Sequence, residues 1–386
     1  MKVRRNYHMF NRISSWNAQI IRSHLLSGVL FFLVLTLTAC LGPGENRPGV
    51  VAIDPQSETV SVSGIGSGSA TESSGTSEIY TPVSNVDGYF NLSLDLHDIK
   101  GLITAGDWVG AVAIYEDGKN SLHGDNTRRS LRSLATSKSV LAIFPNGEQI
   151  YGKPQFLDAH IQIGLNGTGR AAELPDGARR QLVDKGIQTV LYAKALQKIE
   201  SARTKTAAGN TDDNSGAPHA VDEAAATYLG AVNEEGIRAF SLSATARSRE
   251  GNFGLEGKLD VPLQIEFASL QQAARDGDLA VFEAAEAKVR GNLNAIFYLA
   301  TLRYTQSTLD ASIAERPIPM SEGWAFYQAI RGSVAQSSPE TADRINELFS
   351  GTSESVPDSI IPEVYEGLNH PPVFQALGVP THLKVK

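Results

Sequence analysis

The chain has 386 residues, 34 Lys+Arg against 42 Asp+Glu, a formal net charge of −8 and one cysteine. An acidic balance argues against nucleic acid and polyanionic substrates as partners, and suits a solvated surface or cation binding. A lone cysteine excludes a disulfide framework.

Read from the N-terminus, Lys2, Arg4, Arg5, Arg12 and Arg22 precede an apolar run over residues 25–37, which ends in Leu37-Thr38-Ala39-Cys40. A basic n-region, a short h-region and small residues before a cleavage point predict a secretory signal. The closing tetrapeptide has the form of a lipobox, in which the Cys40 thiol is diacylated and becomes the new N-terminus. Two or three acyl chains hold a protein stably, since each buried CH₂ contributes about 0.8 kcal/mol. The apolar run is shorter than the ~20 residues that a membrane span prefers, and Gly42-Pro43-Gly44 ends it. Leu41 stands where an aspartate would favour inner-membrane retention, so the expected destination is the outer membrane, on its periplasmic face or the cell surface. Removing residues 1–39 takes away five basic residues and no acidic one, which leaves 29 Lys+Arg against 42 Asp+Glu and a net charge of −13. With Cys40 acylated, thiol nucleophiles and thiolate metal sites are excluded too.

Residues 40–85 read as the lipidated cysteine and a flexible tether. The stretch GIGSGSATESSGTS is too poor in apolar residues to order itself, and a coil of this length spans roughly 35–40 Å. Residues 86–386 then form the folded part. Helical spacing of apolar residues runs through 94–116, with a joint at Ala105-Gly106-Asp107. It continues through 178–205, where Leu182, Val183, Ile187, Val190, Leu191, Ala195, Leu196 and Ile199 recur every three or four positions. Gly186 within that run costs a helix about 1 kcal/mol against alanine and marks close packing. Further helices are predicted over 222–228, behind Pro218, and over 278–309, 320–330 and 339–349. Strand-like alternation is confined to 50–53 and 259–265. The fold class is therefore all-α, a helical bundle. Two echoes hint at an old duplication: Gly106-Asp107-Trp108 against Gly277-Asp278-Leu279, and the segments from Asp222 and from Ser321, each ending in tyrosine. They do not share one register, so no tandem repeat is established.

Candidate chemistry is sparse. His219 and Glu223 are four apart and share a helix face, which suits one nitrogen and one oxygen ligand; alternatively, His219 or Asp222 caps the helix. Glu322 sits among small and aromatic residues, either as a first-turn charge or as an inward ligand. Tyr298 and Tyr304 lie in an apolar helix with Arg303 beside the latter; phenolates and carboxylates are hard donors that suit ferric iron, although helical tyrosines are more often core. The chain has no G-x-S-x-G elbow and no H-E-x-x-H. The glycines of residues 164–169 read as an ordinary loop, and Arg128-Arg129 and Arg179-Arg180 are too few for a nucleic-acid surface.

An ordered set of short segments resembles a known family. Gly106-Asp107-Trp108, Ala111, Ile114-Tyr115-Glu116, Gly118-Lys119-Asn120-Ser121, Arg129-Ser130-Leu131 and Ala135-Thr136 come first. Val221-Asp222-Glu223-Ala224, Ala244-Thr245-Ala246, Arg249 and Asn252-Phe253 follow, then Leu302-Arg303-Tyr304 and Glu322-Gly323-Trp324-Ala325-Phe326. In this order they are similar to the algal iron-assimilating secreted proteins related to phytotransferrins, and to bacterial lipoproteins that share their domain. Ala225 departs from the tryptophan usual in the family, and Ser248-Arg249-Glu250-Gly251 is a variant of its basic turn. The resemblance implies a secreted or surface-held protein of iron uptake that binds ferric iron with carbonate. It points to Glu223 and Glu322 as the first pair of metal ligands, His219 and Tyr304 as further ones, and Arg249 or Arg303 as the anion holder. The expected protein is a binding lipoprotein and not an enzyme, held to the membrane at Cys40 and served by an iron transporter or receptor, with no nucleic-acid partner. The alternatives are a helical scaffold lipoprotein without a metal site and a metal-dependent enzyme.

Overall fold

The computed structural model describes residues 79–232, 238 and 240–386. The signal segment, Cys40, the Gly/Ser/Thr-rich stretch and the strand candidate at 50–53 lie outside them. Short helices α1 (Asp87–Phe90), α2 (Leu92–Thr104) and α3 (Trp108–Asp117) come first, followed by α4 (Leu131–Ala135), α5 (Lys138–Leu141), α6 (Gly147–Tyr151) and α7 (Phe156–Asn166). The long α8 (Asp176–Ala207) leads to α9 (Ala217–Leu229), α10 (Leu242–Phe253), α11 (Asp260–Asp276) and the equally long α12 (Leu279–Asp310). Then come α13 (Pro317–Ser337), α14 (Pro339–Ser350), α15 (Ile360–Asn369) and α16 (Pro371–Leu377). No strand occurs among the described residues, and the all-α expectation holds.

Helix α8 is the central post. It packs against α7, α9 and α13, and α12 packs against α13 and α11. Its buried residues include Leu182, Val183, Ile187, Val190, Leu191, Ala195, Leu196 and Ile199, the set that its spacing predicts. At Gly186 a Cβ would lie 2.9 Å from Ile161 Cγ1, so the glycine does mark the close approach of α7. The joint between α2 and α3 is Gly106 at φ +81°, with Asp107 capping α3 by accepting from Gly110 N–H. Asp278 caps α12 in the same way through Val281 N–H.

Two expectations need correction. Residues 259–265 are not a strand: Leu259 precedes α11, which buries Leu263, Phe267 and Leu270, while Val261 and Ile265 stay exposed. Helical burial uses every other member of an apparently alternating apolar run. In the second case, Gly164 is not in a loop but inside α7, against Leu182 and Val183, and only Gly167 and Gly169 form the turn that ends it.

The last residues of the expected tether belong to the folded body. Asp222, fully buried, accepts from Tyr80 Oη (2.5 Å), Val83 N (3.0 Å), Ser84 N (2.8 Å), Ser84 Oγ (2.6 Å) and Gln271 Nε2 (2.6 Å). This carboxylate fastens residues 80–84 and α11 to the start of α9. It is not a helix cap.

One titratable group ties the packing to pH. His160 of α7 lies among Trp324, Phe156 and Tyr151, with ring centroids 4.8–5.9 Å away. Burial first, and then the nearby Arg170 and Arg331 charges, push its imidazole down to about 3. The folded chain therefore holds His160 neutral, whereas the unfolded chain takes up a proton below about pH 6.5. The associated stability is complete above that pH and is lost on acidification toward 3, by about 2 kcal/mol at pH 5. Urea midpoints at pH 7.5 and 5.0 should diverge less in His160→Asn than in the parent chain. Equal divergence in both would remove His160 as the cause.

Candidate functional site

Helix α9 opens with Pro218 in its first turn, where a missing N–H costs nothing. One turn on, His219 and Glu223 project to the same side, with Nε2 3.6 Å from Oε1. His219 Nδ1 lies 2.8 Å from Ser84 Oγ, which binds the Asp222 clasp, so the ring is oriented by the N-terminal strap. Across from α9, Lys198 of α8 places its Nζ 2.5 Å from Glu223 Oε2. Tyr89 of α1 completes the group. Burial, and next the Glu223 carboxylate that its hydroxyl faces, push its phenol well above the usual range.

Arg129 covers the Tyr89 ring at 4.2 Å, and Lys198 and Lys194 lie 5.0 and 5.8 Å from the same centroid. The motif over residues 118–121 positions this arginine. Asp95 accepts from Asn120 N and Nδ2 and fixes the loop, and Ser121 Oγ accepts from Arg129 Nη1 at 2.9 Å. Leu122 O accepts from Nη1 at 3.2 Å, and His123 Nδ1 lies 3.3 Å from Nη2. Burial and the adjacent Lys198 push the Lys194 amine down to about 8. The cluster thus holds one carboxylate and one phenol under an excess of cationic groups.

Glu322 lies elsewhere. It projects from the second turn of α13 to within 3.8 Å of Lys185 Nζ on α8. Lys185 also meets Asp184 at 3.0 Å, and Asp184 takes further contacts from Lys100 (3.6 Å) and Gln188 (3.0 Å). Tyr304 of α12 faces Glu322 and stacks on Phe326. Burial raises the Glu322 carboxyl above the usual carboxylate range, against the pull of Lys185. Burial and Glu322 raise the Tyr304 phenol. Arg249 of α10 covers the Tyr304 ring at 5.2 Å. Its Nη2 donates to Ser248 Oγ at 3.0 Å, while the buried Nε and Nη1 have no hydrogen-bond partner.

The expected residues are therefore split. His219 and Glu223 come together, as do Glu322, Tyr304 and Arg249, but the two glutamates do not share one site. Their lysines, Lys185 and Lys198, are thirteen positions apart on α8, which is about 20 Å along the axis and close to opposite faces. Arg303 is turned away from Tyr304 by one helical position and acts on Tyr365 of α15. Tyr298 is a core residue whose hydroxyl meets Asn369 at 2.9 Å. Sequence reasoning missed Tyr89, Lys185 and Lys198, and it quoted Arg129 only as part of a motif. Their partners are remote in sequence, so no spacing rule could pair them.

Burying a guanidinium without a counter-charge costs several kcal/mol. Arg129 and Arg249 are the two arginines that are buried among the described residues, 7% and 5% exposed, and neither has a carboxylate within ion-pair distance. Among the described residues no three His, Cys, Asp or Glu side chains converge as a metal cage. What each cluster offers instead is one carboxylate and one phenol, with His219 as a third donor beside Glu223, next to a cationic place for an anion.

The sequence model for low iron-inducible periplasmic proteins matches residues 60–333. The chain belongs to this family. Both clusters of this low iron-inducible periplasmic protein fall within the matched residues, whereas α14, α15 and α16 lie beyond them. No curated protein and no solved structure matches the chain. No helix among the described residues is long and apolar enough to cross a membrane. Membership links the chain to iron assimilation, in a family described as periplasmic.

Proposed function

We propose that this protein captures ferric iron together with carbonate and holds it for uptake, as a binding protein without catalytic turnover. The observation that carries the reading is the buried guanidinium of Arg249, with Nε and Nη1 unpartnered, over the tyrosine that faces Glu322. A phenolate and a carboxylate are hard anionic donors suited to ferric iron. Two protein donors leave most of an octahedron open, and a bidentate oxyanion held by arginine both fills positions and supplies the missing counter-charge. The cargo then explains the family's response to low iron. Acylation of Cys40 would hold the protein at the outer membrane, from which a transporter or receptor takes the metal.

The test is a ferric-iron titration of the protein followed by visible absorption, with and without bicarbonate. Tight, bicarbonate-dependent binding with a tyrosinate-to-iron band is the expected result. A second reading, a helical scaffold lipoprotein with no metal site, draws on the lysines that already neutralise Glu223 and, at longer range, Glu322. Absence of binding in both buffers would leave that reading standing.

A further inference from the structure

The two clusters contain the same four residue types in the same relation. On one face of α8, Tyr89 faces Glu223, Arg129 covers the tyrosine ring, and Lys198 meets the glutamate. On another, Tyr304 faces Glu322, Arg249 covers the ring, and Lys185 meets the glutamate. Both tyrosines are 8% exposed, so each group lies at the edge of the core. The chain order differs: Tyr89, Arg129, Lys198, Glu223 in one, and Lys185, Arg249, Tyr304, Glu322 in the other. A copied segment would keep the order, so the likeness lies in the chemistry that the fold assembles and not in a repeat.

A single such group is an ordinary buried ion pair with an aromatic neighbour. Its recurrence is harder to explain as packing, because it uses both of the arginines that are buried among the described residues and draws both lysines from one helix. Among the described residues neither arginine has a carboxylate within ion-pair distance, and in the Glu322 group Nε and Nη1 of Arg249 have no hydrogen-bond partner. We infer that the chain has two separate sites of one kind, each taking a ferric ion with a small oxyanion, on opposite faces of α8. In each, the glutamate and tyrosine supply oxygen donors, the arginine holds the anion, and the α8 lysine occupies the glutamate when no metal is present. The donor sets differ in that His219 adds a nitrogen beside Glu223. This inference rests on the iron-binding reading above.

The experiment is metal stoichiometry on the full chain, titrated with ferric iron in bicarbonate buffer, for the parent and for Glu223→Gln, Glu322→Gln and the double variant. Two irons per chain are expected for the parent, one for each single variant and none for the double variant. Tyr89→Phe and Tyr304→Phe, which remove only a hydroxyl, should each halve the tyrosinate band and so guard against a variant that fails to fold. One iron per chain, lost through substitutions in one cluster alone, overturns the two-site inference and leaves the iron-binding reading intact. Two irons that survive the double substitution place both elsewhere and overturn it as well. No iron in the parent chain overturns the underlying reading instead.

Discussion

Asp222→Ala should destabilise the folded chain by about 3–5 kcal/mol, the range for breaking a buried charged network. The carboxylate accepts from five donors on two segments, and alanine leaves Tyr80 Oη, two backbone N–H groups, Ser84 Oγ and Gln271 Nε2 to find other partners. Residues 80–84 have few other ties of this strength, so the variant should lose protection from amide exchange there before α8 or α12 opens. Asp222→Asn retains an accepting oxygen but turns an NH₂ toward donors, and should fall between the two. Urea unfolding with exchange mass spectrometry measures both effects. A loss below about 1 kcal/mol, the worth of one ordinary hydrogen bond, would show that the strap is held by something other than Asp222.

Gly291→Ala should also be costly, although helix propensity alone would predict a gain of about 1 kcal/mol. A Cβ at Gly291 would run into the carbonyl oxygen of Gly378, and the carbonyl carbon lies at 3.1 Å. The obstacle is backbone, not the end of a flexible side chain. The turn after α16 must therefore move away from α12 and give up the 2.7 Å bond from Asn294 Nδ2 to Leu377 O. Overpacking of this kind costs about 1–3 kcal/mol, and with the lost hydrogen bond it outweighs the propensity gain. The expected net loss is about 1–3 kcal/mol by urea midpoint. A more stable Gly291→Ala would mean that the α16 turn yields freely.

The long helices were legible because burial repeats in them. The apolar positions of α8 and α12 recur over many turns, so their cores follow from spacing alone. Helices α4, α5 and α6 have four or five residues, too few for a period to show. In α10 the face toward the core is made of Leu242, Ser243, Ala246, Arg249 and Glu250, and such a polar set gives no amphipathic signal. The site was legible where it is local. His219 and Glu223 follow from a four-residue spacing, whereas Tyr89 and Lys198 reach Glu223 from helices far away in sequence. The expectation that Glu223 and Glu322 act as one pair fails for the same reason: the motif order along the chain carries no information about which face of α8 each helix covers. Arg303 and Tyr304 are neighbours in sequence, and a helix turns neighbours about 100° apart.

The clasp at Asp222 has a mechanical consequence. Any pull on the chain upstream of Tyr80 meets several bonds to a single carboxylate of α9. The next residue along is Glu223, and Ser84 of the strap is bonded to His219. Tension on residues 80–84 thus reaches the neighbours of one of the two glutamate clusters, and the other lies about 20 Å along α8.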